Sequence, residues 1–189
     1  MKAGRCAGAV ELSTLVEYWL GELDAAHEAR VDEHLLSCDA CAHGLDDIVQ
    51  MGAAIRDSFV RGSVSAVLSA AFVRGLAASG WRVREYRVPS NGSVNCTVAP
   101  DDDLTVARLQ ASLAGVERLD VVRIAEGEVL ERLANVPFDP TAGEVVFAPA
   151  MAGLRALRDQ TVHIQLVDAG GAAERVIAGY DFNHAAWNG

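Results

Sequence analysis

Residues 34–41 read HLLSCDAC, placing His34, Cys38 and Cys41 within one short stretch. His34 and Cys38 are four residues apart, so on the last turn of a helix they project from the same face. Cys38 and Cys41 straddle a turn that opens the next helix, where backbone N–H groups favour thiolate over thiol. Two thiolates and an imidazole suit Zn2+, with Zn–S near about 2.3 Å and Zn–N near about 2.0–2.1 Å. The competing readings are a pair of buried thiols and a redox dithiol. The second is disfavoured because no βαβ pattern surrounds the cysteines. The spacing H-x3-C-x2-C at a helix–turn–helix junction points to a metal.

The flanking sequence supplies that junction. Leu12, Leu15, Val16, Trp19, Leu20 and Leu23 recur at helical spacing on one face. Gly21-Glu22-Leu23-Asp24 interrupts, and Asp24 is a good N-cap for a second helix ending at the metal motif. A third helix follows, with Leu45, Ile48, Val49, Ala53, Ile55 and Phe59 as its stripe. Gly62-Ser63 marks a break before a fourth helix carrying Val64, Val67, Leu68, Ala71, Phe72 and Leu76. If the first two helices form an antiparallel hairpin about residues 23–24, the level of Cys41 falls near Cys6. Cys6 is therefore the expected fourth ligand, completing Cys3His; His43 and His27 are weaker candidates. A catalytic zinc would keep an open position in a cleft. A helical hairpin of this size offers little cleft, so one structural or sensing zinc is expected, and no enzyme.

These residues resemble the zinc-binding anti-sigma factors. The family pattern is an early Cys or His, a helix ending in a Tyr-x-x-Gly-Glu-Leu-like turn, then H-x3-C-x2-C. Tyr18, Gly21, Glu22, Leu23, His34, Cys38 and Cys41 match it directly, over about residues 6–76. Cys6 departs from it by lying a couple of residues further upstream of the first helix. The resemblance implies a domain that wedges between the two conserved regions of an extracytoplasmic-function-type sigma factor. It thereby blocks surfaces that engage core RNA polymerase and promoter DNA. It implies that the fourth helix packs on the sigma factor, making Val64, Val67, Leu68 and Phe72 the expected partner-binding residues; packing of the same stripe against the protein's own domains is an equal alternative. Some members release their sigma factor when oxidant converts ligand cysteines to a disulfide and expels zinc; others keep zinc as pure structure.

Charge fits such a partner. The chain has 189 residues and a net charge of −10. Residues 1–60 hold 4 basic and 11 acidic side chains. An acidic surface repels nucleic acid directly but complements a basic protein that binds it. Solubility alone would also account for the acidity. Hydrophobic residues make up 51%, enough for a packed core, and no apolar run approaches a membrane span. The N-terminal MKAGRCAGAV lacks the apolar run of a signal peptide. A cytoplasmic protein is expected.

From Trp81 the texture changes. WRVREYRV, SVNCTVA, LTVARL, LDVVRI, EVLERL, EVVFAP, LRALRD, TVHIQLV and RVIAGYDF are short, often alternating runs separated by turn chemistry. Asn91-Gly92 reads as a hairpin turn joining the first two. The expected fold class is α+β multidomain. Residues 1–78 form a zinc-stapled bundle of three to four helices, and 79–189 an antiparallel β-sandwich or jelly roll, with the fourth helix assignable to either. A cupin-like arrangement is compatible with the strands, but the cupin His-x-His is lacking. His163 alternates with apolar neighbours and is expected to face solvent; Cys96 is expected to be a core thiol, and Asp101-Asp102-Asp103 a solvated turn. This domain would stabilise the protein, dimerise it or receive a signal. The rival reading is a cupin-like metalloenzyme or small-molecule sensor carrying a structural zinc hairpin.

Overall fold

The computed structural model describes residues 8–188. The chain divides into two compact units, Met1–Ser58 and Phe59–Gly189.

The first unit is built on helices α1 (Leu12–Leu20), α2 (Ala25–Ser37) and α3 (Asp39–Val60). Helix α1 stops at Gly21, whose φ of 70° is the left-handed conformation that glycine adopts without a Cβ penalty. There Gly21 N–H donates to the Tyr18 carbonyl at 3.1 Å and Glu22 N–H to that of Glu17 at 2.9 Å. Asp24 then caps α2, its Oδ1 accepting from His27 N–H at 2.8 Å. One buried residue from each helix, Leu15, Val31 and Ile48, forms the core, with Val16, Tyr18, Leu23, Leu35 and Leu45 packed around it. The stripe expected on α3 is narrower than its periodicity suggests. Val49 and Ile55 are exposed: Val49 lies about 100° round the helix from buried Ile48, and Ile55 lies beyond Gly52, against which Trp19 of α1 packs.

The second unit begins at Phe59, ahead of the expected boundary between residues 78 and 79. Residues 64–76 do not form one helix. Ala66–Leu68 is a strand, β1, and the helix α4 spans Ala70–Ala78. Ser69 separates them as an N-cap, its Oγ accepting from Phe72 N–H at 3.1 Å. The apolar spacing from Val64 to Leu68 fits a strand as well as a helix, and pairing with a partner strand decides it.

Strands β2 (Val83–Val88), β3 (Ser93–Cys96), β4 (Leu104–Gln110), β5 (Leu119–Ala125), β6 (Glu128–Val136) and β7 (Glu144–Ala148) follow. A short helix α5 (Met151–Ala156) precedes β8 (Gln160–Asp168) and β9 (Arg175–His184). Helix α5 takes up much of LRALRD, which reads as a strand in sequence. The strands form two sheets, ordered β1-β7-β4-β2 and β3-β9-β8-β5-β6. Residues of both sheets, among them Leu109, Val121, Phe147, Ile164 and Tyr180, share one core. This is a sandwich and not a closed barrel.

Two further expectations need correction. The sheets are mixed, because β2 runs parallel to β4 and β3 parallel to β9. The Asn91-Gly92 turn also does not close a hairpin, since β2 and β3 belong to different sheets. Asn91 does take a positive φ of 55°, and its side-chain oxygen accepts from Gly179 N–H at 3.0 Å. The local turn chemistry is right, but the turn carries the chain from one sheet to the other. Strand β4 is covered on both faces. Ala107 and Leu109 face the sandwich core, while Leu104 and Val106 pack with Val73 and Leu76 of α4. Such double coverage explains its near-continuous apolar run.

Candidate metal centre

Three local features bring His34, Cys38 and Cys41 together. Helix α2 closes just before Cys38, where Ser37 Oγ donates to the carbonyls of Glu33 at 3.1 Å and His34 at 3.0 Å. Cys38 is then extended, with φ −134° and ψ 97°, and breaks the helix. Its carbonyl accepts from the N–H groups of Cys41 and Ala42, both at 3.1 Å, which starts α3. The imidazole therefore comes from the last turn of one helix and a thiol from the first turn of the next.

The ligand atoms of His34, Cys38 and Cys41 all lie within 4.8 Å of one another. His34 Nε2 is 3.2 Å from Cys41 Sγ. Tetrahedral zinc with these donors spaces them by about 3.5–3.8 Å, so the His34–Cys41 pair is within a few tenths of an ångström of the spacing the ion needs. Cys41 is buried, and His34 and Cys38 are half-buried. A soft, shielded set of two thiolates and one imidazole fits zinc.

The weaker candidates are engaged elsewhere. The His27 ring is 2.6 Å from Asp24 Oδ2, and His43 Nδ1 is 2.6 Å from the Asp39 carbonyl. Cys6 lies outside the described residues. The chain approaching α1 does reach the site's edge, because Gly8 and Val10 line one surface hollow with Val31 and His34.

Of the expected partner-binding residues, Val64 and Phe72 are exposed. Val67 packs on the sandwich core, and Leu68 packs on the cluster beneath α4. They do not form a single helical stripe.

In the second unit, His163 faces outward as expected, with Nδ1 2.7 Å from Asp181 Oδ1. The parallel pairing of β3 and β9 sets Cys96 beside His184, with Sγ and Nδ1 3.9 Å apart. Burial pushes the Cys96 thiol up to about 11 and holds the His184 imidazole below its ordinary value. That is the behaviour of a core thiol. Asp102 departs from the expected solvated turn: it is buried, accepts from Ala99 N–H at 2.7 Å and pairs with Arg84. Among the described residues, no helix is long and apolar enough to cross a membrane.

Residues 14–42 match the model of a family described as "Putative zinc-finger", a family found in anti-sigma factors. No curated protein matches the chain. Among solved structures, the N-terminal domain of phage TP901-1 ORF48 is similar at 13% identity and a TM-score of 0.38, over 55% of this chain and 97% of that one. A cysteine protease inhibitor from Entamoeba histolytica, EhICP2, is similar at 6% identity and a TM-score of 0.29, over 56% of this chain and 99% of that one. Likenesses this low carry no argument about function.

Proposed function

We propose that this protein is an anti-sigma factor that binds and occludes a cytoplasmic sigma factor of the extracytoplasmic-function type. The observation that carries the reading is a coincidence of place. The zinc-finger family match spans residues 14–42, and the His34, Cys38, Cys41 cluster falls at its end, on the α2–α3 junction. When bound, zinc supplies a cross-link between helix ends. Cys6 is the proposed fourth ligand. His34 and Cys41 fix the angle at which α3 leaves α2, and so the shape the first unit offers a partner. Its acidic balance suits the basic DNA- and polymerase-binding surfaces of a sigma factor. Val64 and Phe72 are the exposed members of the expected contact set. Val67 and Leu68 are already packed within the second unit. The role is occlusion, with no catalytic step.

Co-purification with candidate sigma factors tests the reading, comparing wild type with His34→Ala. Wild type should retain one sigma factor, and His34→Ala should lose both zinc and the sigma factor. If wild type retains none, the reading fails. A second metal, retained by the chain when Cys38 and Cys41 are both replaced by Ser, would favour the metalloenzyme or sensor alternative.

A further inference from the structure

Three large apolar side chains of the first unit are exposed on one side of it. Trp19, near the end of α1, is 40% exposed, and Met51 and Ile55 of α3 are 57% and 61% exposed. A single exposed apolar residue needs no explanation, whereas a group of them marks an interaction surface. Gly52 is what brings them together. A Cβ at that position would collide with the six-membered ring of Trp19, so the indole lies on the backbone of α3. Met51 precedes Gly52, and Ile55 follows it by one turn on the same face.

The course of α1 explains why this face stays open. Leu15 rests on Gly44, where an added Cβ would sit 3.4 Å from its Cδ1, and Trp19 rests on Gly52. Helix α1 therefore runs alongside α3 in the same direction, and it stops at Leu20 while α3 continues to Val60. Ile55 lies seven residues beyond buried Ile48, on the same side of α3. The side that α1 covers at Ile48 is left bare past Trp19.

Charge decides among the possible occupants. Residues 8–58 hold eleven acidic side chains and two basic ones, Arg30 and Arg56. Glu17 and Glu22 flank Trp19 in sequence, and Asp47 lies one turn before Met51; all three are exposed. A second copy would bring this charge against itself, and nucleic acid or anionic lipid would be repelled in the same way. A basic segment is attracted and steered. The apolar group lies along a helix and is rimmed by carboxylates, and its complement is a helix with one apolar and one basic face. We propose that Trp19, Met51 and Ile55 dock the apolar face of a basic amphipathic helix of a partner protein. This deepens the sigma-factor reading by naming a surface apart from Val64 and Phe72, and it rests on that reading for the partner's identity alone.

The test uses the zinc-loaded full-length protein and three labelled synthetic peptides of about 18 residues, long enough to form a helix. One carries Leu at i, i+3, i+4 and i+7 with Lys elsewhere, one has Glu in place of Lys, and one is the first peptide scrambled. Fluorescence anisotropy reads binding. The Lys peptide should bind saturably, the scrambled peptide about tenfold more weakly or worse, and the Glu peptide not at all. Replacing both Met51→Ser and Ile55→Ser should weaken the Lys peptide about tenfold or more. Both side chains already face solvent, so zinc content and helical circular dichroism should match wild type. Val129→Ser alters an exposed apolar residue of the sandwich and should leave binding unchanged. The proposal is overturned if the scrambled peptide binds as tightly as the ordered one, or if the double variant binds as wild type does. It is also overturned if sedimentation shows a wild-type dimer that the double variant turns into a monomer, which gives the surface to a second copy. The same double variant enters the co-purification experiment. A sigma factor retained equally by wild type and the double variant overturns this surface and leaves the sigma-factor reading standing. Lys-peptide binding by a wild type that retains no sigma factor overturns that reading and leaves the surface standing.

Discussion

His34 Nε2 lies 3.2 Å from Cys41 Sγ across the junction of α2 and α3. The two residues belong to different helices, so their approach fixes the angle between those helices. Neither side chain could keep this position if the extended backbone at Cys38 became helical, because α2 and α3 would then merge into one rod.

Metal content is the first consequence. The protein should carry about one zinc per chain, and Co2+ substitution should give thiolate charge-transfer bands. Cys38→Ser and Cys41→Ser should each lower zinc affinity by more than the roughly 10–100-fold that loss of an outer-shell partner costs. His27→Ala should leave it unchanged, because that ring is held by Asp24. Elemental analysis and the Co2+ spectrum check both statements.

Removing the ion should melt the first unit selectively. Among the described residues its buried apolar cluster is Leu15, Val31 and Ile48, and units this small usually need a metal or disulfide to stay folded. The sandwich has an extensive core of its own. Chelation should therefore erase much of the helical circular dichroism at 222 nm while the thermal transition of the sandwich persists. Helices α1, α2 and α3 hold most of the helical residues, so the signal loss should be large. A single shared transition would contradict this division of stability.

Much of the first unit was legible in sequence because its signals are local. Gly21, Asp24 and the H-x3-C-x2-C each act within a turn or two. The misread segments are those in which a distant strand decides. Val67 is a strand residue because it pairs with Phe147, far away in sequence. Asn91-Gly92 made its local turn, but whether β2 and β3 then pair depends on β4 and β9. A charge on the inner face of β5 left a fainter trace. Arg123 breaks the inward alternation of Leu119 and Val121, and that departure becomes legible only once the inward face of β5 is known.

Acid should weaken the sandwich in two separated steps. Asp120 is almost fully buried, which by itself raises its pKa. The Asn135 N–H at 2.9 Å and Arg132 Nε at 2.8 Å outweigh that and hold it below its ordinary value of 3.8. A depressed carboxylate contributes stability above its unfolded pKa and loses it as pH falls through the folded one. Burial also lowers His184 below 6.5, partly opposed by Asp159. Stability should therefore drop first as pH falls below about 6.5, level off, and drop again below about 4. Asp120→Asn should remove part of the second step and cost about 1.5–3 kcal/mol at neutral pH. Urea titrations across pH give both limbs.

Three glycines separate backbone strain from packing. At Gly62, φ is 66° and an added Cβ would sit 2.7 Å from Met151 Cβ and 3.2 Å from Ala152 N. Ala152 N–H also donates to the Gly62 carbonyl at 3.0 Å, so that neighbour cannot easily withdraw. Gly62→Ala should combine left-handed strain with overpacking, costing about 2–4 kcal/mol. Gly80 has a φ of 95° but nothing within 4 Å, so Gly80→Ala should cost only the strain, about 1–2 kcal/mol. Gly75 lies inside α4 with nothing within 4 Å and no positive φ. Gly75→Ala should stabilise by about 0.5–1 kcal/mol, through helix propensity and a less free unfolded chain. Calorimetry of the sandwich transition ranks the three, at about 3–5 °C per kcal/mol for a unit of this size. If Gly80→Ala cost as much as Gly62→Ala, strain alone would explain both and the contact with Met151 would carry no energy.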